Sequence, residues 1–132
     1  MSTDVAGICA RVPFLRFLGF EVTAIDALGC EARMPFADRH IGNPVQNYYH
    51  GGIVASYMEA VASLSIASEW ERAPPKPINL TIDYLRPARA EDLFARASVT
   101  RKGRRMASVQ AFVWQDDVDR PAAKGLFHFL LV

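Results

Sequence analysis

The sequence predicts an α+β domain in which an antiparallel sheet of about six strands wraps around one long central helix. Apolar and polar residues alternate with a period of two in six separate segments, which is the pattern of strands with one buried face. One long apolar segment without proline follows the second of these strands. No strand–helix–strand repetition occurs, so a doubly wound parallel sheet is not expected.

The length and composition fit a single domain of this kind. The chain has 132 residues, of which 51% are hydrophobic and 22% charged, so one hydrophobic core can form without disulfide bonds or structural metal ions. The net charge of +1 gives no support for binding to nucleic acid or to an anionic membrane surface. We therefore expect residues 1–132 to form one domain that binds neither.

The cysteines and the apolar segments indicate the cellular compartment in which we expect the protein. Cys9 and Cys30 are the only cysteines, too few for a disulfide framework and consistent with a reducing compartment. The amino terminus lacks the basic-then-apolar order of a secretory signal. The apolar segment 51–68 is barely of membrane-spanning length and carries Glu59, which favours a buried helix. We expect a cytoplasmic protein.

The first third of the chain contains a short helix and two strands. Residues 4–12 place apolar side chains on one helical face, and Pro13 ends that helix. Strict alternation then predicts strands over residues 20–24 and 30–36. Residues 37–49 are polar and irregular, so they form a loop that leads to the next helix.

The central helix is predicted over residues 51–69, because this segment is apolar on nearly every face and ends in charged residues before Pro74-Pro75. A Lys102-Gly103 turn marks a hairpin in the region that follows. Four strands are predicted there: 78–84, 93–100, 108–114 and 122–132. Such a sheet covers only one side of the helix and leaves edge strands exposed, so we expect an oligomer.

Glu59 is the only charged side chain between residues 51 and 68. Burying an isolated carboxylate is costly unless it is paired, hydrogen-bonded or protonated. One interpretation is a structural carboxylate that reaches solvent or an arginine at an interface. The other is a general base or nucleophile of a hydrolytic site, and the sequence leaves the choice between those two chemical roles open.

His50-Gly51-Gly52 stands at the start of the central helix, where free N–H groups and the positive end of the helix dipole can stabilise an oxyanion. A simple glycine-rich helix entry is the alternative. Gly51 and Glu59 are eight residues apart, or about 12 Å along one helix, too far for both to reach one carbonyl. The simplest joint site pairs Gly51 of one subunit with Glu59 of another across antiparallel helices at a twofold interface.

Four motifs occur in a characteristic order and spacing: Leu18-Gly19-Phe20, His50-Gly51-Gly52 followed by Glu59, Ile82-Asp83-Tyr84-Leu85-Arg86-Pro87-Ala88, and Lys102-Gly103-Arg104. With them the chain resembles, from about residue 14 to residue 132, the hotdog-fold acyl-CoA thioesterases, particularly the phenylacetate-degradation type. The resemblance implies a dimer with two sites at its interface, usually a tetramer, and an acyl-CoA substrate. It implies no metal or redox cofactor.

The resemblance also implies roles for individual residues. Glu59 takes the place of the family's catalytic Asp or Glu, and the backbone N–H of Gly51 polarises the thioester carbonyl. Ser63, one turn beyond Glu59, matches a hydroxyl that holds the carboxylate or the water, although a small residue for close helix packing fits equally well. His50 orients the loop or bonds near the thioester instead of acting as the base.

The loop before His50 departs from the family pattern. Many members have Asn or Gln six residues before the motif histidine, and here that residue is Pro44. Asn43 fills the role if the loop is one residue longer, with Gln46 and Asn47 as the other candidates. Tyr48-Tyr49 could instead shape an unusual acyl pocket.

Residues 86–105 carry a net charge of +5. Guanidinium groups suit the phosphate oxygens of CoA, although a solvated hairpin explains the same charge. The residues predicted to contact the nucleotide end of CoA are Arg86, Arg89, Arg101, Arg104 and Arg105.

The sequence therefore predicts an acyl-CoA thioesterase that hydrolyses a small aromatic or medium-chain acyl group. Two alternatives remain open. One is a non-catalytic acyl-CoA-binding protein, which the altered loop before His50 keeps in view. The other is an enoyl-CoA hydratase or dehydratase of the same fold, which would need a histidine and a carboxylate converging on the β-carbon.

Overall fold

A computed structural model describes residues 3–132, so Met1 and Ser2 of the predicted domain lie outside the described residues. Two short helices lead into the sheet: α1 (Val5–Arg11) and α2 (Pro13–Leu18). The long central helix is α3 (Gly51–Leu64). The strands are β1 (Glu21–Ile25), β2 (Gly29–Met34), β3 (Ile41–Asn43), β4 (Tyr48–Tyr49), β5 (Lys76–Tyr84), β6 (Leu93–Lys102), β7 (Met106–Trp114) and β8 (Ala123–Leu130).

Six of these strands form one antiparallel sheet in the order β1-β2-β6-β7-β8-β5. Helix α3 packs against β2, β6, β7 and β8. The interface is apolar and fully buried at Val61 and Leu64 of the helix and at Val109, Val113 and Phe127 of the sheet. The predicted antiparallel sheet around one central helix is confirmed.

Three local features differ from the prediction. Pro13 ends α1 and also opens a second helix, α2, where it occupies the first turn. The predicted loop 37–49 contains the two-stranded ladder of β3 and β4. Helix α3 ends at Leu64, because the Ser65 hydroxyl donates to the Ala62 carbonyl (2.6 Å) and a 3₁₀ turn over Ala67–Glu71 follows.

Strand β5 forms one edge of the sheet, and its apolar side chains are exposed. Leu80 pairs with buried Phe127 of β8, which places it on the core face of the sheet. Even so, Leu80 is 42% exposed and Ile78 49%, since α3 does not extend over this edge. The edge is therefore apolar and has no neighbouring strand within residues 3–132. Among the helices of those residues, none has the length and apolarity to span a bilayer.

Candidate active site

The first turn of α3 presents a free backbone donor. His50 caps the helix, and its Nδ1 accepts the Gly52 N–H at 2.9 Å. The N–H groups of Ile53 and Val54 donate to the His50 carbonyl. The Gly51 N–H has no acceptor among residues 3–132, and Gly51 lines a cavity of about 560 Å³. The site therefore offers one unpaired donor at the positive end of the helix dipole.

Tyr84, at the end of β5, fixes the position of Gly51. Its hydroxyl donates to the Gly51 carbonyl at 2.8 Å, and its ring lies 3.6 Å from where a Cβ on Gly51 would stand. Tyr84 belongs to the motif of residues 82–88, but the sequence predicted no role for it. A signal was nonetheless present, because Tyr84 is the last residue of the predicted strand 78–84, and a tyrosine at the end of a strand can reach a neighbouring helix terminus.

Asn43 lies in the same cavity as Gly51 and His50, whereas Gln46 and Asn47 do not line it. The Asn43 side-chain carbonyl accepts the N–H groups of Val45 and Gln46, both at 3.1 Å. These bonds leave the Asn43 amide NH₂ as the group that can donate to a ligand.

Glu59 lies in a different cavity, of about 220 Å³, on the second half of α3. Ser63 lines the same cavity one turn further along the helix. The Glu59 carboxylate is half-buried and has no hydrogen-bond or ion-pair partner within residues 3–132, and this burial raises its pKa above the ordinary value of 4.5. It is thus a carboxylate that binds protons more readily than an exposed one.

One chain does not bring all the predicted catalytic residues into one cavity. Gly51, His50 and Asn43 share the first cavity, and Glu59 and Ser63 share the second. A third cavity of about 380 Å³ runs between them along α3, lined by His50 near one end and by Ser56, which it shares with the Glu59 cavity. The two halves of the site therefore lie on one continuous side of α3.

The predicted CoA-binding arginines fall into two groups. Arg86 donates to the Pro121 carbonyl, and Arg89 pairs with Asp116 and, at 3.2 Å, with Glu91. Arg86 and Arg89 line a polar cavity of about 410 Å³ next to the one that contains Gly51.

The second group lies at the other end of the same strands. Arg101 lies near the end of β6, and Arg104 and Arg105 lie in the turn of the β6–β7 hairpin, about 30 Å away along the ten residues of β6. Lys102 of this hairpin pairs with Glu69 at 3.1 Å, which places the hairpin beside the segment that follows α3. A single chain therefore does not gather the five arginines at one point.

Residues 46–122 match the sequence profile of the thioesterase superfamily, which is more than half of the chain. The chain belongs to the thioesterase superfamily. A protein of Escherichia coli K12 named medium/long-chain acyl-CoA thioesterase YigI is 29% identical over 111 residues, covering 74% of this chain and 72% of that protein. A Halobacterium salinarum protein assigned only provisionally to the esterases is 36% identical over 97 residues, covering 67% of this chain. The match spans 61% of that relative.

Solved structures agree with this thioesterase-superfamily membership. A phenylacetic acid degradation-related protein of Ralstonia eutropha is 27% identical, with a TM-score of 0.80 and 91% of each chain covered. Zebrafish thioesterase superfamily member 2 has a TM-score of 0.83 at 22% identity, covering 98% of this chain and 95% of that one, and this likeness concerns the fold alone. The predicted hotdog fold is confirmed.

No group of three or more His, Cys, Asp or Glu side chains is placed to hold a metal ion in the part of this thioesterase-superfamily chain that the structure describes. His40 is fully buried and holds two backbone groups, with Nε2 donating to the Leu18 carbonyl (2.8 Å) and Nδ1 accepting the Ala37 N–H (3.2 Å). These bonds account for both ring nitrogens of His40, so it is a structural residue.

Proposed function

We propose that this chain is an acyl-CoA thioesterase that hydrolyses a small aromatic or medium-chain acyl-CoA to the free acid and CoA. The observation that carries the proposal is the pair of unsatisfied groups on α3. The Gly51 N–H lacks an acceptor and the Glu59 carboxylate lacks a donor within residues 3–132. A thioester carbonyl and an attacking water would satisfy both. The name of the Escherichia coli relative supports the same chemistry.

The complete site requires a second copy of the chain. Gly51 and Glu59 are about 12 Å apart along α3, so antiparallel packing of two α3 helices brings Gly51 of one subunit to Glu59 of the other. The exposed core-face residues of β5, such as Leu80, supply apolar area for that association. We propose a dimer with two sites, each built from both subunits, and the dimers can associate further into a tetramer.

In this site the thioester oxygen accepts the Gly51 N–H, which stabilises the negative charge that develops on it. Glu59 of the second subunit either removes a proton from water, whose oxygen bonds to the carbonyl carbon, or attacks that carbon itself to form an anhydride that water then opens. In either case the C–S bond breaks, the sulfur receives a proton and CoA leaves. The Asn43 NH₂ group donates to the water or to the carboxylate.

His50 and Ser63 support these groups. His50 accepts the Gly52 N–H and so holds the first turn of α3. Ser63 lies on the Glu59 side of α3, where its hydroxyl can bond to the carboxylate or the water. We assign both as positioning residues.

The CoA moiety would extend from Gly51 towards Arg86 and Arg89, which lie beside the Gly51 cavity. Antiparallel packing of α3 also moves the β6–β7 hairpin of one subunit towards the start of α3 in the other, because the hairpin lies next to the carboxyl end of α3. The two arginine groups can therefore act on one CoA from two subunits. No metal or redox cofactor is needed for this reaction.

The first experiment measures CoA release from a panel of aromatic and straight-chain acyl-CoAs by wild type and Glu59→Ala. We expect turnover by wild type and a loss of about 10²-fold or more in the variant. Turnover that survives in Glu59→Ala would contradict the role of Glu59. Binding without any turnover by wild type would instead indicate the non-catalytic acyl-CoA-binding protein.

Mixed dimers test the shared site directly. Glu59→Ala and Gly51→Pro subunits, each inactive alone, are co-expressed with different tags and the heterodimer is purified. One of its two sites then combines an intact Gly51 with an intact Glu59, so we expect about half of the wild-type turnover. A pure but inactive heterodimer would rule out a site shared in this way.

A further inference from the structure

The cavity beside Glu59 is apolar on every side except that of α3. Glu59, Ser56 and Ser63 line it from one helical face. Phe14 and neighbouring residues of the α1–α2 junction form the opposite wall, and none of the lysines and arginines within residues 3–132 lines the cavity. A neutral apolar group would fit here, whereas a second carboxylate would face Glu59 without a compensating cation.

The cavity extends away from Gly51 and has a fixed end. It follows α3 from Ser56 to Ser63, about 10 Å, and Trp70 and Phe129 are among the other residues that line it. The Trp70 indole N–H donates to the Ser63 carbonyl at 3.3 Å, which holds the ring across the end of the cavity. Pro75 and Pro77 stiffen the chain on the same side.

The volume of this cavity limits what it can hold. An apolar protein cavity of about 150 Å³ is large enough for benzene. At about 220 Å³, the Glu59 cavity has room for a phenyl ring with a short link, or for a straight chain of similar volume such as hexanoyl or octanoyl. A long fatty acyl chain is larger than this volume, so it would need Trp70 to move or part of the chain to lie outside the cavity.

We infer that the cavity lined by Glu59, Phe14, Trp70 and Phe129 binds the acyl group of the substrate and that Trp70 sets its maximum length. The inference rests on the proposed thioesterase function and narrows it. Substrates would be uncharged acyl-CoAs with a phenylacetyl-sized or medium-length acyl group. Long-chain and dicarboxylic acyl groups such as succinyl would be excluded, by the end wall and by the Glu59 charge respectively.

A binding measurement tests this without turnover. The chain has two tryptophans, and Trp114 packs on Phe94 and is not among the residues that line the Glu59 cavity. In Trp114→Phe, Trp70 is the only tryptophan, so its fluorescence reports occupancy of the cavity. We expect a saturable change with octyl-CoA, a thioether that cannot be hydrolysed, and none with CoA alone. The same response to both ligands would overturn the inference.

A kinetic measurement tests the end wall. Trp70→Leu should raise the ratio of kcat/KM for dodecanoyl-CoA over hexanoyl-CoA at least tenfold, and Trp114→Leu, the matched loss of a tryptophan, should leave the ratio unchanged. If Trp70→Leu does not fold, Ala60→Val narrows the same cavity from α3 and should lower the octanoyl-to-butyryl ratio. A wild-type ratio in folded Trp70→Leu would refute the role of Trp70, and a wild-type ratio in Ala60→Val would refute binding of the acyl group in this cavity.

These outcomes are distinct from failure of the proposed function. If wild type hydrolyses no acyl-CoA but Trp70 fluorescence responds to octyl-CoA, the acyl site stands and the thioesterase proposal falls. If hydrolysis occurs but neither Trp70→Leu nor Ala60→Val changes the kcat/KM ratios between acyl-CoAs of different length, the thioesterase proposal stands and the acyl site falls.

Discussion

The two halves of α3 differ in the chemical group that they offer and in the cavity that they line. The amino-terminal turn offers a neutral donor, the Gly51 N–H, and faces a cavity bordered by Arg86. The second half offers a carboxylate, Glu59, in an apolar cavity closed by Trp70. Neither half can polarise a carbonyl and activate water at the same time. This difference is the basis of the proposed dimer, in which a second, antiparallel copy of α3 places Gly51 of one subunit against Glu59 of the other.

The largest effect should come from removing the Gly51 donor. Gly51→Pro deletes the N–H at the first helical position, where proline is well tolerated. Gly51 is not in the left-handed region, and His50 before it is already extended (φ −63°, ψ 131°), as proline requires of the preceding residue. Loss of an oxyanion donor should lower kcat by about 10²–10³-fold. Steady-state CoA release measures this.

Gly51→Ala is the matched control, because it keeps the N–H. A Cβ on Gly51 would meet the Tyr84 ring at 3.6 Å, an ordinary contact, so this variant should retain turnover within a few-fold of wild type. Equal losses in the alanine and proline variants would mean that the shape of the first turn matters and its donor does not.

The contrast between the halves of α3 could be predicted from sequence only in part. Glu59 was conspicuous because a charge inside an apolar helix is costly, and Gly51 because it begins that helix. The environment of Glu59 could not be predicted. It depends on Trp70, which reaches the cavity only because α3 stops at Leu64 and the following 3₁₀ turn folds back towards Ser63.

The sheet was easier to predict from the sequence than the environment of Glu59. Period-two alternation defines strand faces within a few residues, so all six sheet strands could be predicted from local pattern. The arginines illustrate the limit of that approach. Arg86 and Arg101 are close in sequence, yet β6 carries the chain from one end of the sheet to the other between them. Charged residues that are close in the sequence therefore do not form one charged patch on the surface here.

A smaller effect should follow from removing charge beside the Gly51 cavity. Arg86→Gln and Arg89→Gln should each raise KM for acyl-CoA by about threefold to tenfold with kcat nearly unchanged, since contacts to CoA phosphates contribute equally before and in the transition state. Lys124→Gln, an exposed cation on β8, should leave KM unchanged. Initial rates over a range of acyl-CoA concentrations and two salt concentrations measure both. A fall in kcat without a change in KM would place these arginines nearer the chemistry than the structure does.

The smallest effect concerns stability and tests the other half of α3. Burial raises the pKa of Glu59 above 4.5, so the folded chain holds this proton more tightly than the unfolded chain. The stability gained from protonation is present at low pH and is lost as pH rises through the folded-state pKa. At about pH 8, Glu59→Gln should therefore be more stable than wild type, and the difference should shrink towards about pH 4.5.

Glu69→Gln provides the opposite expectation in the same part of the chain. Glu69 pairs with Lys102 at 3.1 Å, so removing its charge should lower stability by about 0.5 kcal/mol at neutral pH. Thermal unfolding at several pH values compares the two variants.

A less stable Glu59→Gln would reveal a group that stabilises the Glu59 carboxylate in the free enzyme. In that case the second half of α3 would not hold an unsatisfied charge, and the contrast on which the proposed two-subunit site rests would disappear. A more stable but inactive Glu59→Gln would show that the enzyme keeps this charge at the expense of its own stability because the reaction requires it.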